Sequence, residues 1–479
     1  MKLAQHFAAS GIALSLFIVN LKAVAPVGSV NADAAVPAGQ RPADLVFEDE
    51  QDSNRINVAG PWQTWDTATG NWIGVRETLL DHGIILFGGF ATEVWGNTTG
   101  GIGPGAVSTS LFDFGIEIDL EKLVGWEGAT VYNSWFAPMG RDVSSEYVGN
   151  LFTVSNAAAL NSLYLYEFWF QQTFLSEAIS IRLGQLAADT EFASSDYGSL
   201  FINATFGWPS FLSENIPSGG PTFPKGTLGV RLALNPTDWF TFQTAIFQGD
   251  PFDDTINRHG FRWRLDSEIG AFGISEGQVR WNSSEKATGL PGQIKIGSWY
   301  HTASFASADP ESSNIYRGNY GFYGVIDQLL YREPSQASGP SATLSANGQP
   351  IVTKDIVASE KSDQGLGAFG RISVNPQDRN FIAFYFDTGL TYKGLIPSRD
   401  GDTIGLAFAY GQVTRGAAEG LLADGSRGVG AEMVLETTYQ CQVTPWLTVQ
   451  PNIQYIINPG ATQDYPNALV VGFRASVTF

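Results

Sequence analysis

The chain has 479 residues, of which only 15% are charged against the ~25% of ordinary globular chains, while aromatics reach 13% and glycines number 54. A formal charge of -20 argues against a nucleic-acid partner, which calls for a basic face. One cysteine, Cys441, excludes an internal disulfide framework, and His6, His82, His259 and His301 are too scattered for a metal-ligand spacing, so neither a metal nor a cofactor is expected.

Lys2 precedes an apolar run over Phe7–Leu21, followed by Ala23, Ala25, Ala32 and Ala34. The pattern predicts a secretory signal peptide over residues 1–34, because the run is too short to span a bilayer and is followed by small residues. Residues 35–83 form an N-terminal segment, rich in Pro, Ala, Asp and Gln up to about residue 70. Within it, Trp72, Val75, Leu79 and Leu80 recur at helical spacing and Gly83 follows as a stop, which predicts a short helix over residues 72–82. No later stretch approaches the ~20 apolar residues of a membrane helix. An exported chain without one can still enter a membrane as a closed barrel.

From Ile84 to the end the apolar period becomes two. Phe112, Phe114, Ile116, Ile118 and Leu120 alternate with Asp113, Gly115, Glu117 and Asp119; Tyr164, Tyr166, Phe168 and Phe170 alternate with Leu165, Glu167, Trp169 and Gln171. Ile179, Ile181 and Leu183 oppose Ser180, Arg182 and Gly184, and Leu228, Val230, Leu232 and Leu234 oppose Gly229, Arg231 and Ala233. Further runs follow, including 261–265, 320–330, 366–374 and 432–439. In the last, Leu469, Val471, Phe473, Ala475, Val477 and Phe479 share one parity, with Val470 as the exception on the other. An apolar outer face and a polar inner face describe the wall of a transmembrane barrel. Short connectors (121–128, 175–178, 235–238, 375–380, 442–445) and long ones (97–110, 138–161, 186–226, 333–365) are expected on opposite rims. The reading is all-β: a transmembrane antiparallel barrel of about 16 strands over 84–479, with a short N-terminal helix. A propeller would repeat a motif per blade, and none is found.

The run Gly70-Asn71-Trp72-Ile73-Gly74-Val75-Arg76, with Leu79 and Gly83, resembles the opening of the carbohydrate-selective porins of Gram-negative-type outer membranes, with Ile73 where that family has a glycine. Gln450–Gly460 followed by Ala468–Phe479 is similar to the family's ending; Phe201-Ile202-Asn203 and Gly249-Asp250-Pro251 are similar as well. The resemblance implies an integral outer-membrane barrel of about 16 strands passing sugars such as glucose by diffusion. It also implies a final Phe479 read by the barrel-insertion machinery. Partners would be small sugars and outer-membrane lipid, with the chain a monomer or a homo-oligomer.

A diffusion pore needs no catalyst; it needs a narrowing lined with groups that replace the water lost from the solute. Glu117, Glu167, Arg182 and Arg231 share the inner parity, where carboxylates accept from hydroxyls and guanidinium donates. They serve equally to keep the lumen wet or to hold one another across it. Trp169 offers a ring for stacking on a sugar, or for packing. Two placements stand open for 186–226: folded into the bore, with Asp189, Glu191, Phe192, Asn203 and Trp208 along the path, or packed on itself at the surface. Arg76 on the short helix is a candidate plug of one mouth. Asp250, Asp253 and Asp254 do not match a calcium loop and read as acidic loop residues. A pore for other small solutes or anions shares every architectural feature. A barrel enzyme would need a nucleophile with a supporting histidine, and no such set is recognisable.

Overall fold

The computed structural model describes residues 56–284, 287–334, 342–344, 350–352, 362–423 and 430–479, so the expected signal peptide lies outside the described residues. Among the described residues eighteen strands follow one another: β1 (Ile84–Thr99), β2 (Gly105–Asp119), β3 (Ala129–Gly140), β4 (Tyr164–Phe174), β5 (Ile179–Leu186), β6 (Thr227–Thr237), β7 (Phe240–Gln248), β8 (Ala271–Trp281) and β9 (Gly292–Ala306). Then come β10 (Ile315–Arg332), β11 (Ala342–Leu344), β12 (Pro350–Val352), β13 (Gly365–Val374), β14 (Ile382–Lys393), β15 (Thr403–Val413), β16 (Ala431–Thr444), β17 (Leu447–Ile457) and β18 (Ala468–Thr478). Sixteen of them form one closed antiparallel barrel in sequence order, closed by β18 on β1; β11 and β12 make a separate two-stranded pair.

The period of two explains why these residues form a wall. Val94, Phe168, Ile246, Ile296, Phe322, Ile372, Leu406, Val471 and Phe473 point outward and are exposed, as a lipid-facing surface requires. Their neighbours along each strand point inward and are buried, Glu93, Glu167, Arg182, Arg371, Glu436 and Arg474 among them. Closure removes the sheet edges, so the ladder bonds its own backbone throughout a region where no water can do so. Val470 faces inward and is fully buried, which accounts for its place on the polar parity.

The alternation breaks on β4. Ser134 pairs with Glu167 but Trp135 with Leu165, leaving Tyr166 as an extra residue in a bulge. Tyr164 and Tyr166 are therefore buried rather than lipid-facing, and the Tyr166 hydroxyl donates to Asp189 at 2.7 Å. The run 261–265, expected as a strand, lies instead in the β7–β8 connection. That segment bonds to the β4 and β5 backbone and side chains: Leu165 N donates to His259 O, and Trp263 Nε1 to Gln185 Oε1. Alternation alone does not distinguish it from a wall strand.

The rims also need two corrections. Strands alternate in direction, so the β10–β13 connection, expected among the long loops, leaves the barrel on the rim that carries both chain ends. The short 375–380 turn lies on the opposite rim, where Ala308 N donates to Asp378 O.

The expected helix is a 3-10 turn, Trp72–Gly74, running into an α-helix, Val75–Asp81. Arg76 does not lie across a mouth: its guanidinium donates to Phe479 O at 2.8 Å, Leu86 O at 3.3 Å and Thr67 Oγ1 at 3.0 Å. Nearby, Ala68 N donates to Thr478 O at 2.9 Å, and Trp62 packs on Trp446 with ring centroids 4.3 Å apart. The N-terminal segment thus clasps the seam between first and last strands. Replacing Arg76 by Met should lower the unfolding temperature of the barrel, read as heat-modifiable migration, by the equivalent of ~1–3 kcal/mol for carbonyls left without their donor. An unchanged transition would rule the clasp out.

Candidate functional site

The interior is occupied by the connection between β5 and β6, residues 187–226, which settles its two placements in favour of the bore. Phe192, Phe201, Phe206, Trp208, Phe211 and Phe223 are all buried there. The wall makes room for it: a Cβ on Gly405 would press on Phe201, and one on Gly367 on the Tyr197 ring. Trp208 donates to Gly219 O at 3.0 Å, so it closes the segment on itself.

Wall side chains hold this segment by its backbone. Carboxylates accept its amides: Glu436 from Ile202 N (2.7 Å) and Asn203 N (2.9 Å), Glu276 from Ala193 N (2.9 Å), Glu167 from Ala187 N (3.0 Å). Cations take its carbonyls: Arg371 donates to Ala193 O, Thr205 O and Gly207 O, and Lys295 to Ser194 O. Asn203 adds a side-chain bond to Gln454 Oε1 at 2.9 Å. Such charge-assisted bonds are the stronger class of hydrogen bond.

The β3–β4 connection enters the bore as well. Glu432 accepts Leu151 N (2.8 Å) and Phe152 N (2.7 Å), Ser155 donates to Glu93, and Asn156 accepts from Arg474. Asn156 N donates to Ile202 O at 3.0 Å, joining the two inner segments.

The expected lumen residues Arg182, Arg231 and Glu191 meet. Arg182 on β5 stands directly opposite Arg231 on β6, a like-charge cross-strand pair that is unfavourable alone. Glu191 bridges them, pairing with Arg182 and accepting from Arg231 Nε at 2.8 Å. Gln171 accepts from Arg182 Nη2 at 2.7 Å and from Arg231 Nη2 at 3.1 Å. The gap they share with Phe192 and Phe247 leaves no room for a water-sized body. These charges are spent on one another.

Trp169 stands apart in kind. The Arg182 guanidinium lies over its ring at 3.9 Å, Tyr132 stacks on its other side at 4.9 Å, and Phe87 on Tyr132 at 5.5 Å. Trp169 Nε1 has no hydrogen-bond partner among the described residues, nor has Asp113 Oδ1 or Ser134 Oγ, all on the inner face of β2–β4. Glu117 is buried on the same face. An aromatic run with polar groups beside it can take a solute that has flat apolar faces and hydroxyls at its edge.

Asp189 accepts from Tyr166, Thr222 Oγ1 (2.6 Å) and Phe223 N (3.0 Å) and ties the segment's two ends. Burial pushes its carboxyl up to about 6, in spite of the three donors. Asp250 and Asp253 accept amides of their own loop, and Asp254 pairs with Lys225 at 3.0 Å. No group of three or more His, Cys, Asp or Glu that could hold a metal occurs among the described residues.

A family model described as "Carbohydrate-selective porin, OprB family" matches residues 105–479. The chain belongs to this porin family. It is 25% identical over 437 residues to Porin B of Pseudomonas aeruginosa, covering 86% of this chain and 90% of that one. It is also similar to the putative porin QuiX of Acinetobacter baylyi, at 22% identity over 86% of this chain and 92% of that one. Among solved structures, the high-pH structure of Pseudomonas putida OprB superposes with a TM-score of 0.71 at 25% identity, covering 86% of this chain and 98% of that one. The porin is thus an integral protein of the outer membrane, a channel by class.

Within the porin, the inner parity of the sequence singles out Glu117, Glu167, Arg182 and Arg231, and the 186–226 segment adds Asp189 and Glu191; all six are buried inside the barrel. Glu93, Glu276, Lys295, Asp327, Arg371, Asp387, Glu432, Glu436 and Arg474 are not singled out there, although inward parity is available for several of them. Glu191→Ala would leave Arg182 and Arg231 buried without their carboxylate, a loss of ~3–5 kcal/mol in loop docking. Single-channel recording should then show a larger and noisier conductance than wild type; a quiet, unchanged channel would mean that Glu191 does not fix the loop.

Proposed function

We propose that the porin passes small neutral sugars of the glucose class by diffusion, along the inner face of β1–β4. The observation that carries this is the stacked run Phe87–Tyr132–Trp169 beside the unsatisfied Trp169 Nε1, Asp113 Oδ1 and Ser134 Oγ. A pyranose has apolar C–H faces for the rings and edge hydroxyls for the polar atoms. In this reading the half-buried Phe87, at the open end of the run, meets the sugar; Trp169, covered by Arg182 and Tyr132, backs it, and Glu117 lies within the same strip. Glu167, Arg182, Arg231, Asp189 and Glu191 fix the inner loop and so set how wide the path is. Arg76 belongs to the wall. Export by residues 1–34 and recognition of Phe479 by the insertion machinery are part of the same proposal.

An anion pore would need cations left uncompensated in the bore. Here Arg182 and Arg231 share Glu191, Arg371 pairs with Asp387, and Arg474 pairs with Glu93. That arrangement supports a neutral solute.

Liposome swelling against chloride conductance tests the proposal. Glucose should enter proteoliposomes faster than its size alone predicts, without strong anion preference. Phe87→Ala should slow glucose entry about two- to tenfold, the size of one lost ring contact, with salt conductance equal or higher, and Phe87→Leu should fall between. Strong anion preference with no glucose swelling would defeat the reading.

A further inference from the structure

On the side of the inner loop that faces the chain ends, a small recess is lined by Asp196 and Tyr197 of the loop, Arg280 of β8, Gly292 and Gln293 of β9, and Asp327 of β10. Gln293 is buried, and its Nε2 donates to Asp196 Oδ2 at 2.7 Å and Asp327 Oδ2 at 3.2 Å. Its Oε1 has no partner among the described residues. A buried amide oxygen without a donor is costly, and a ligand that donates there removes the cost.

We infer that this recess is a second sugar station, at the mouth beside the chain ends, that holds the hydroxyl edge of a sugar between Gln293, the Asp196–Asp327 pair and Arg280. The inference rests on the sugar-passage reading and adds a site to it. The chemistry of the lining selects the class. Gln293 Oε1 and the two carboxylates accept hydroxyl protons, while Arg280 donates to a hydroxyl oxygen. A divalent cation does not suit it, because the Gln293 Nε2 donor lies between the carboxylates. An anion does not suit it, because two acids stand there. The deep part has space for about two or three water-sized groups, which matches adjacent hydroxyls of one sugar edge and not a whole ring. A shallow hold of this kind lets the solute leave, as passage requires.

The test is single-channel recording of the intact porin with glucose added on one side at a time, using wild type, Gln293→Met and Ser283→Trp. Ser283 lies in the exposed β8–β9 turn at the edge of the recess, so the tryptophan blocks it without disturbing the Gln293 bonds. With glucose on the chain-end side, Gln293→Met should shorten the sugar-induced current interruptions about three- to tenfold, as loss of one to two neutral hydrogen bonds implies. Ser283→Trp should make those interruptions rarer. Interruptions by glucose from the opposite side should persist in both variants. If both variants match wild type from the chain-end side, the second station does not exist. If wild type shows no interruptions from either side, it is the sugar-passage reading that fails.

Discussion

Arg182 and Arg231 sit opposite each other on adjacent strands, facing into the barrel. A wall alone cannot satisfy that arrangement, since two guanidiniums in register repel and neither is open to bulk water. The carboxylate of Glu191 resolves it, and it can do so only if the segment carrying it enters the bore. The wall therefore determines where its own filling goes. Once Glu191 is seated, its carbonyl takes the Gln243 amide, Ala193 falls beside Glu276 and Arg371, and the next residues reach Asp327.

The same logic explains the acidic, sparsely charged composition. Carboxylates without a cation, Glu432 and Glu436, are occupied by pairs of backbone amides from the inner segments. A loop inside a barrel brings unpaired backbone with it, and each buried amide or carbonyl needs a partner. Acids and bases at inward positions supply them in the two complementary senses. The residues that look in sequence like a charged pore lining are to a large extent the hydrogen-bonding frame of an internal loop.

That is also why the sequence reveals the wall so much better than the bore. Alternation with period two is a local property, and it places Glu167, Trp169, Arg182 and Arg231 inward without knowledge of any neighbour. It fails where local geometry changes, as at Tyr166, where one extra residue turns the ring inward. It is also misled where a loop segment happens to alternate, as over 261–265. Glu191 meets Arg182 nine residues away but also Arg231 forty away, and Asn203 meets Gln454 251 residues away, and no spacing in the chain records those contacts. The rim of the β10–β13 connection follows from counting strands in order, not from its length.

Selection in such a bore is a matter of what remains unspent. Arg371 and Asp387, and Arg474 and Glu93, are opposed in register and paired, so these inward arginines are compensated at close range. A focusing field for anions needs cations in excess, and the inward surplus is of carboxylates held by backbone amides. What the interior leaves without a partner among the described residues is the open end of the aromatic run at Phe87, an indole N–H, a hydroxyl, an amide oxygen and one carboxylate oxygen of Asp113. These recognise a solute by the positions of its hydroxyls and the flatness of its faces. They bind each weakly enough that the next can replace it, which is the condition under which a polar, neutral molecule moves through a filled barrel rather than lodging in it.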